Sequence, residues 1–96
     1  MNSPENPAVG LAWFRRDQWP LLRAVSADAE ALEQTYDEWL AFASEQLRKL
    51  KARGLRVTKI DVEVGALTRW CESEGRLVDG EARAEYAARG LGPVVD

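Results

Sequence analysis

The sequence predicts an α+β domain, mostly helical, ordered (β)-α-α-β-α-α, and three observations carry that prediction. The first is one long central helix, expected over about residues 36–53. There Tyr36, Trp39, Leu40, Ala43, Leu47 and Leu50 recur at three- and four-residue spacing, which gathers them into one apolar stripe. The second is a change of period after Gly54. Thr58, Ile60, Val62 and Val64 alternate with Lys59, Asp61 and Glu63, as the two faces of a strand do, and this main strand is expected over about 56–62. The third is a pair of helical segments after it, each with its own start and stop signals.

Taken in order, Met1–Pro7 is rich in proline, asparagine and serine, and residues 1–8 are expected to be a disordered lead-in. Val9, Leu11 and Trp13 then alternate with Gly10, Ala12 and Phe14. The pattern suits a short strand that would partner the main one, although spacing alone also admits a helix entry. Asp17 is placed to cap a short helix over about Gln18–Ala27, with Pro20 tolerated in its first turn. Asp28–Gln34 reads as a polar connection with a helical turn, from which Leu32 folds back onto the core.

The long helix is the best signposted element. Thr35 and Glu38 have the spacing of a capping box, in which each side chain satisfies an unpaired N–H at the helix start. Asp37 and Glu38 sit at the positive end of its dipole, while Arg48, Lys49, Lys51 and Arg53 crowd the negative end. Gly54 supplies a left-handed stop. After the strand, Ala66, Leu67, Trp70 and Cys71 mark a helix from about Val64 to Glu74, stopped by Gly75. Leu77 and Val78 are expected to form an apolar corner. Asp79 then caps a last helix with Glu81 in its first turn, Arg89 in its last, and Gly90 at its end. Ala82, Tyr86 and Ala87 face inward on it. Residues 9–90 thus make a single globular domain, with 91–96 a loosely held tail.

Composition narrows the chemistry. Among 96 residues there is no histidine, one cysteine, four tryptophans and a net charge of −3. Without histidine the commonest general base and metal ligand are gone, together with every Ser–His or Cys–His arrangement. The expectation is therefore no enzyme and no cofactor. A lone cysteine cannot close an internal disulfide, which fits a reducing, cytoplasmic setting. The acidic balance disfavours nucleic acid and anionic membranes as partners. Trp13, Trp19, Trp39 and Trp70 are expected to be core or interface anchors.

Several constellations have a functional and a plain reading. Asp61 and Glu63 could join Glu72 or Glu74 around a divalent cation, but no metal-loop spacing supports this and a solvated strand face explains them. Cys71 could be a nucleophile, yet it lies mid-helix beside Trp70 with acids nearby, where a buried thiol is the better reading. The basic cluster Arg48, Lys49, Lys51, Arg53, Arg56 and Lys59 could bind phosphates, but the helix dipole accounts for four of its members and Glu45 can pair with Lys49. The helices flanking Arg76–Asp79 could suggest a helix-turn-helix, although Glu81 and Glu85 beside Arg83 make a poor recognition surface. Arg83 and Asp79 are expected to form a structural ion pair between the last helices.

The stretch from Trp70-Cys71 through Gly75, Asp79 and Ala82-Arg83 to Tyr86-Ala87 resembles the C-terminal signature of a family of short, uncharacterised bacterial proteins. Ala12-Trp13-Phe14-Arg15 and Glu38-Trp39-Leu40 resemble it too. That family has no assigned activity, so the resemblance implies neither a catalytic residue nor a ligand.

The leading expectation is protein association without chemistry of its own, as a homodimer and with a further protein partner unnamed. Its expected interface combines the main strand (Arg56, Thr58, Lys59, Ile60, Val62) with the charged poles of the long helix (Glu33, Asp37, Arg48, Lys51). The strand edge needs covering, and antiparallel helices would set acid against base. The alternatives are a nucleic-acid-associated regulator using residues 48–59 and a small-molecule domain with a tryptophan-lined pocket.

Overall fold

A computed structural model describes residues 8–91; residues 1–7 of the expected lead-in and 92–96 of the tail lie outside the described residues, while Ala8, expected in the lead-in, already belongs to a strand. Strand β1 (Ala8–Trp13) is followed by a 3-10 turn at Arg16–Gln18, helix α1 (Trp19–Val25) and a second 3-10 turn at Ala29–Ala31. Helix α2 (Tyr36–Ala52), strand β2 (Arg56–Asp61), helix α3 (Val64–Ser73) and helix α4 (Gly80–Arg89) complete the order. The fold is the mostly helical α+β arrangement that the periodicities predict.

The N-terminal segment is a strand, one residue earlier than its alternation suggests, and it pairs with β2 in parallel. Ala8 lies opposite Arg56 and Trp13 opposite Asp61. Parallel partners need a long crossover, and α1 and α2 supply it. The register sorts the two-stranded sheet into two faces. Val9, Leu11 and Trp13 share one with Val57, Lys59 and Asp61. Gly10 and Ala12 share the other with Thr58 and Ile60.

Both faces are packed against helices. On the first, Trp13 meets Trp39 of α2 with ring centroids 5.2 Å apart. On the second, α4 comes close enough that a Cβ on Gly10 would stand 2.7 Å from the Ala87 carbonyl oxygen, and one on Gly90 2.5 Å from Ile60 Cγ2. Glycine at those two contacts is what allows α4 to lie on the sheet. The face that alternation assigns to solvent is therefore the one toward α2, with Lys59 and Asp61 left exposed beyond its reach and Thr58 exposed on the opposite face. Val62 and Val64 are buried as expected, just after the strand has ended.

Local signals act largely where they were read. Thr35 and Glu38 form the capping box, Asp79 accepts from the Ala82 N–H at the start of α4, and Gly54 and Gly75 hold positive φ of 88° and 67°. Asp17 caps nothing. It sits in the 3-10 turn, and the residue before α1 is Gln18, whose side chain instead accepts the Val64 N–H at 2.7 Å. Glu63, read as strand surface, is the cap of α3 and accepts from Gly65 and Ala66. Val78 is buried, but Leu77 is 68% exposed, so the apolar corner uses only one of the pair. Glu45 binds Arg48 rather than Lys49. Trp19 and Trp39 are buried, whereas Trp13 and Trp70 are half-buried.

Candidate functional site

A cleft of about 420 Å³ runs along the outer edge of β1. Its floor is Gly10, Leu11, Ala12 and Phe14. One wall is α2, through Trp39 and Phe42, and the other is α4, through Gly80, Arg83 and Ala84. Ala31, Leu32 and Glu33 close one end. The cleft follows directly from the layering. Helices cover the two faces of the sheet, and each overhangs β1 on its unpaired side.

The floor carries backbone groups as well as side chains. The Trp13 carbonyl accepts from the Val62 N–H at 3.0 Å, so Trp13 points its backbone groups toward β2. In a strand successive residues direct these groups to opposite sides, which turns the N–H and C=O of Gly10 and Ala12 outward into the cleft. At the end of this edge the Phe14 carbonyl is already taken, by the Tyr36 hydroxyl at 2.8 Å. Phe42 stands on the rim, 54% exposed, an uncommon setting for so large an apolar side chain.

The polar end of the cleft is built by residues far apart in sequence. Arg83 donates to both carboxylate oxygens of Asp28, at 2.9 and 2.8 Å, and to the Ser26 hydroxyl at 3.2 Å. This two-pronged contact holds the Asp28 carboxyl below its ordinary range. The expected Asp79–Arg83 pair is thus replaced. Asp79 is committed to capping α4, and Arg83 reaches across to the α1–α2 connection. Arg23 steadies that connection by donating to the carbonyls of Leu32 (3.2 Å) and Glu33 (2.8 Å). With Arg83 neutralised by Asp28, Glu33 is the one lining residue whose charge no salt bridge offsets among the described residues.

The other candidates scatter. Asp61 pairs with Arg15 at 3.5 Å and Glu63 is a cap, so neither points at a shared cation. Cys71 is 1% exposed, and burial pushes its thiol up, away from the reactive thiolate. Within the basic cluster Arg48 is bound to Glu45, and the Lys59 ammonium rests 4.3 Å from the centroid of the Trp13 ring. Lys49, Lys51 and Arg53 make no salt bridge among the described residues. Of the four tryptophans only Trp39 reaches the cleft; Trp19 donates its Nε1–H to the Glu33 carbonyl at 3.3 Å.

The expected interface residues divide in the same way. Val62 is 1% exposed and Ile60 is half-buried against α4, so neither is offered to a partner. Asp37 is held by Arg16 at 2.8 Å. What remains exposed on β2 is charged and polar: Arg56, Thr58, Lys59 and Asp61. Short, charged edges of this kind resist pairing, so the main strand does not need the cover that its sequence suggested. The sequence gives no signal for the cleft itself, because its floor is an unremarkable run of small and apolar residues.

The stretch from Trp70 to Ala87 has a structural task at most of its positions. Cys71, Ala82 and Ala87 are fully buried, Gly75 stops α3, Asp79 starts α4, Arg83 holds Asp28, and Tyr86 lies 5.5 Å from Trp70. These residues build the α3–α4 corner. No family model matches the chain, and neither a curated protein nor a solved structure matches it. No described helix is long and apolar enough to cross a membrane.

Proposed function

We propose that this protein works by protein association, as a cytoplasmic homodimer with no chemistry of its own. The observation that carries the reading is the outer face of α2. Phe42, 54% exposed, stands near the middle of that helix, between an acidic approach (Glu30, Glu33) and a basic end (Lys49, Lys51, Arg53) that no salt bridge among the described residues compensates. Two copies with their α2 helices antiparallel bury Phe42 and bring each acidic end to the other's basic end. A two-fold contact must be self-complementary, and this one is. The helix dipole explains part of the charge order, but not the exposed phenylalanine. The contact is centred on α2 rather than on β2, whose apolar residues are already covered.

Light scattering across a concentration series tests it. The expected outcome is a species of twice 10.7 kDa, weakened by salt and converted to monomer by Phe42→Glu or by the paired change Lys49→Glu, Lys51→Glu. A mass of 10.7 kDa at every concentration and salt overturns the homodimer.

A further inference from the structure

We infer that the cleft beside β1 takes an extended segment of a different protein as a third strand, with a lysine or arginine of that segment beside Glu33. This rests on the reading that the protein works by association. It adds a second class of partner: the cleft shares Phe42 and Glu33 with the α2 contact, but its occupant is held by the β1 backbone, which pairing through α2 does not engage.

Three features point to an extended backbone rather than to a small molecule or a helix. First, Gly10 and Ala12 direct N–H and C=O groups into the cleft two residues apart, the repeat of one strand against another, about 6.6 Å. No described residue supplies partners for them. Second, the edge has a defined end, because the Tyr36 hydroxyl occupies the Phe14 carbonyl at 2.8 Å. Third, the two walls stand on opposite faces of the sheet. Side chains of an added strand alternate between faces, so one set would meet Trp39 and Phe42 and the other would meet Ala84 and Gly80, beside the Arg83–Asp28 pair. Strand addition of this kind draws affinity from main-chain bonds and selectivity from such flanking pockets.

Charge and shape then choose the occupant. The Asp28–Arg83 pair is internally neutral, which leaves the Glu33 carboxylate to be met by a cation. The β1 strand of a second copy, Ala8–Trp13, carries no charged residue. It also lies on the floor of its own cleft, and two recessed edges do not reach each other. A second copy offering β2 instead would associate head to tail and grow without closing. A separate, basic, β-prone segment meets every requirement.

The test uses the full chain labelled with nitrogen-15 and, as probe, the blocked hexapeptide Lys-Val-Thr-Val-Thr-Val, titrated to millimolar concentration. The expected result is that the Gly10 and Ala12 amides shift and their hydrogen exchange slows at least about tenfold, as a new hydrogen bond requires. A peptide N-methylated at alternate residues should not bind. Replacing its lysine by glutamate should weaken binding about fivefold, and Glu33→Lys, checked for an unchanged melting temperature, should reverse that preference. Binding that leaves the Gly10 and Ala12 amides unmoved overturns the strand-addition inference while association stands. So does an absence of binding by the folded Lys49→Glu, Lys51→Glu variant, in which the α2 contact no longer occupies Phe42 and Glu33. Protection of those amides without peptide, rising with protein concentration, would assign the edge to a second copy and equally overturn the inference.

Discussion

Between β1, α1 and α2 the core is made of rings, whereas at the α3–α4 corner it is made of small and aliphatic side chains. Trp39 lies at the centre of the first region, with ring centroids of Trp13, Phe14, Trp19 and Tyr36 all between 5.2 and 5.5 Å away. The polar handles there are used: Trp19 Nε1–H reaches the Glu33 carbonyl and the Tyr36 hydroxyl reaches that of Phe14. In the second region Leu67, Cys71, Val78 and Ala82 fill the space, and the two rings, Trp70 and Tyr86, are half-buried at its margin, with the Trp70 Nε1–H buried and unpartnered among the described residues. Two guanidiniums, from Arg76 and Arg89, lie over the Trp70 ring at 5.3 and 5.5 Å. The difference teaches how two kinds of core are specified. Rings supply much apolar area from few positions and orient one another edge to face. Small residues supply little area each and work by letting backbones approach.

The sharpest way to break this comparison is at its hub. Trp39→Ala removes the ring that all four neighbours share and should cost about 3–5 kcal/mol, enough to unfold much of a domain this small. Thermal melting within a couple of degrees of the parent would mean that the aromatic region is not the stabilising one.

The seam between the two regions comes next. Arg83 on α4 and Asp28 before α2 are both partly buried, and Asp28→Ala leaves the guanidinium without its partner, at a cost of about 1.5–3 kcal/mol. The pH dependence has a definite sign. The folded pKa of Asp28 lies below its unfolded value, because Arg83 hydrogen-bonds the ionised form. The stabilisation is therefore complete above the unfolded pKa and is lost as pH falls through the folded one, below about pH 4. Denaturant titrations at pH 3 and pH 6 should show a smaller difference in Asp28→Asn than in the parent. An identical difference would show that the pair does not tie the regions together.

Smaller effects probe the corner and the central helix. Gly75→Ala and Gly54→Ala should each cost about 1 kcal/mol, since both glycines hold positive φ and a Cβ is penalised there although neither site is crowded. Melting curves that rise with either change would mean the helices run on past their stops. The least effect is expected for Trp70→Phe. It deletes a buried N–H that has no partner among the described residues, and the relief of that penalty offsets part of the lost ring area, leaving stability within about 1 kcal/mol of the parent. The matching Trp39→Phe should cost more. If the two come out equal, the rings of the two regions carry the same load and the contrast between them fails.

What the sequence determined by itself was local. The 3.6-residue stripe from Tyr36 to Leu50, the Thr35–Glu38 capping box, the Asp79 cap and the two glycine stops all depend on residues within a turn of one another. Their physics is complete in a short window, which is why the order of elements and the centre of the fold were legible. The tertiary structure decided whatever depends on distance along the chain. Gln18 became a buried acceptor for the Val64 N–H only because β2 ends beside the turn before α1. Arg83 chose Asp28 over the nearer Asp79 because Asp79 was already spent on the Ala82 N–H. The faces of β2 were set by parallel pairing with β1, which laid α2 against one side and α4 against the other. The cleft exists for the same reason: its floor, walls and charged end come from β1, α2, α4 and the connection that Arg23 holds, and no short window contains all of them.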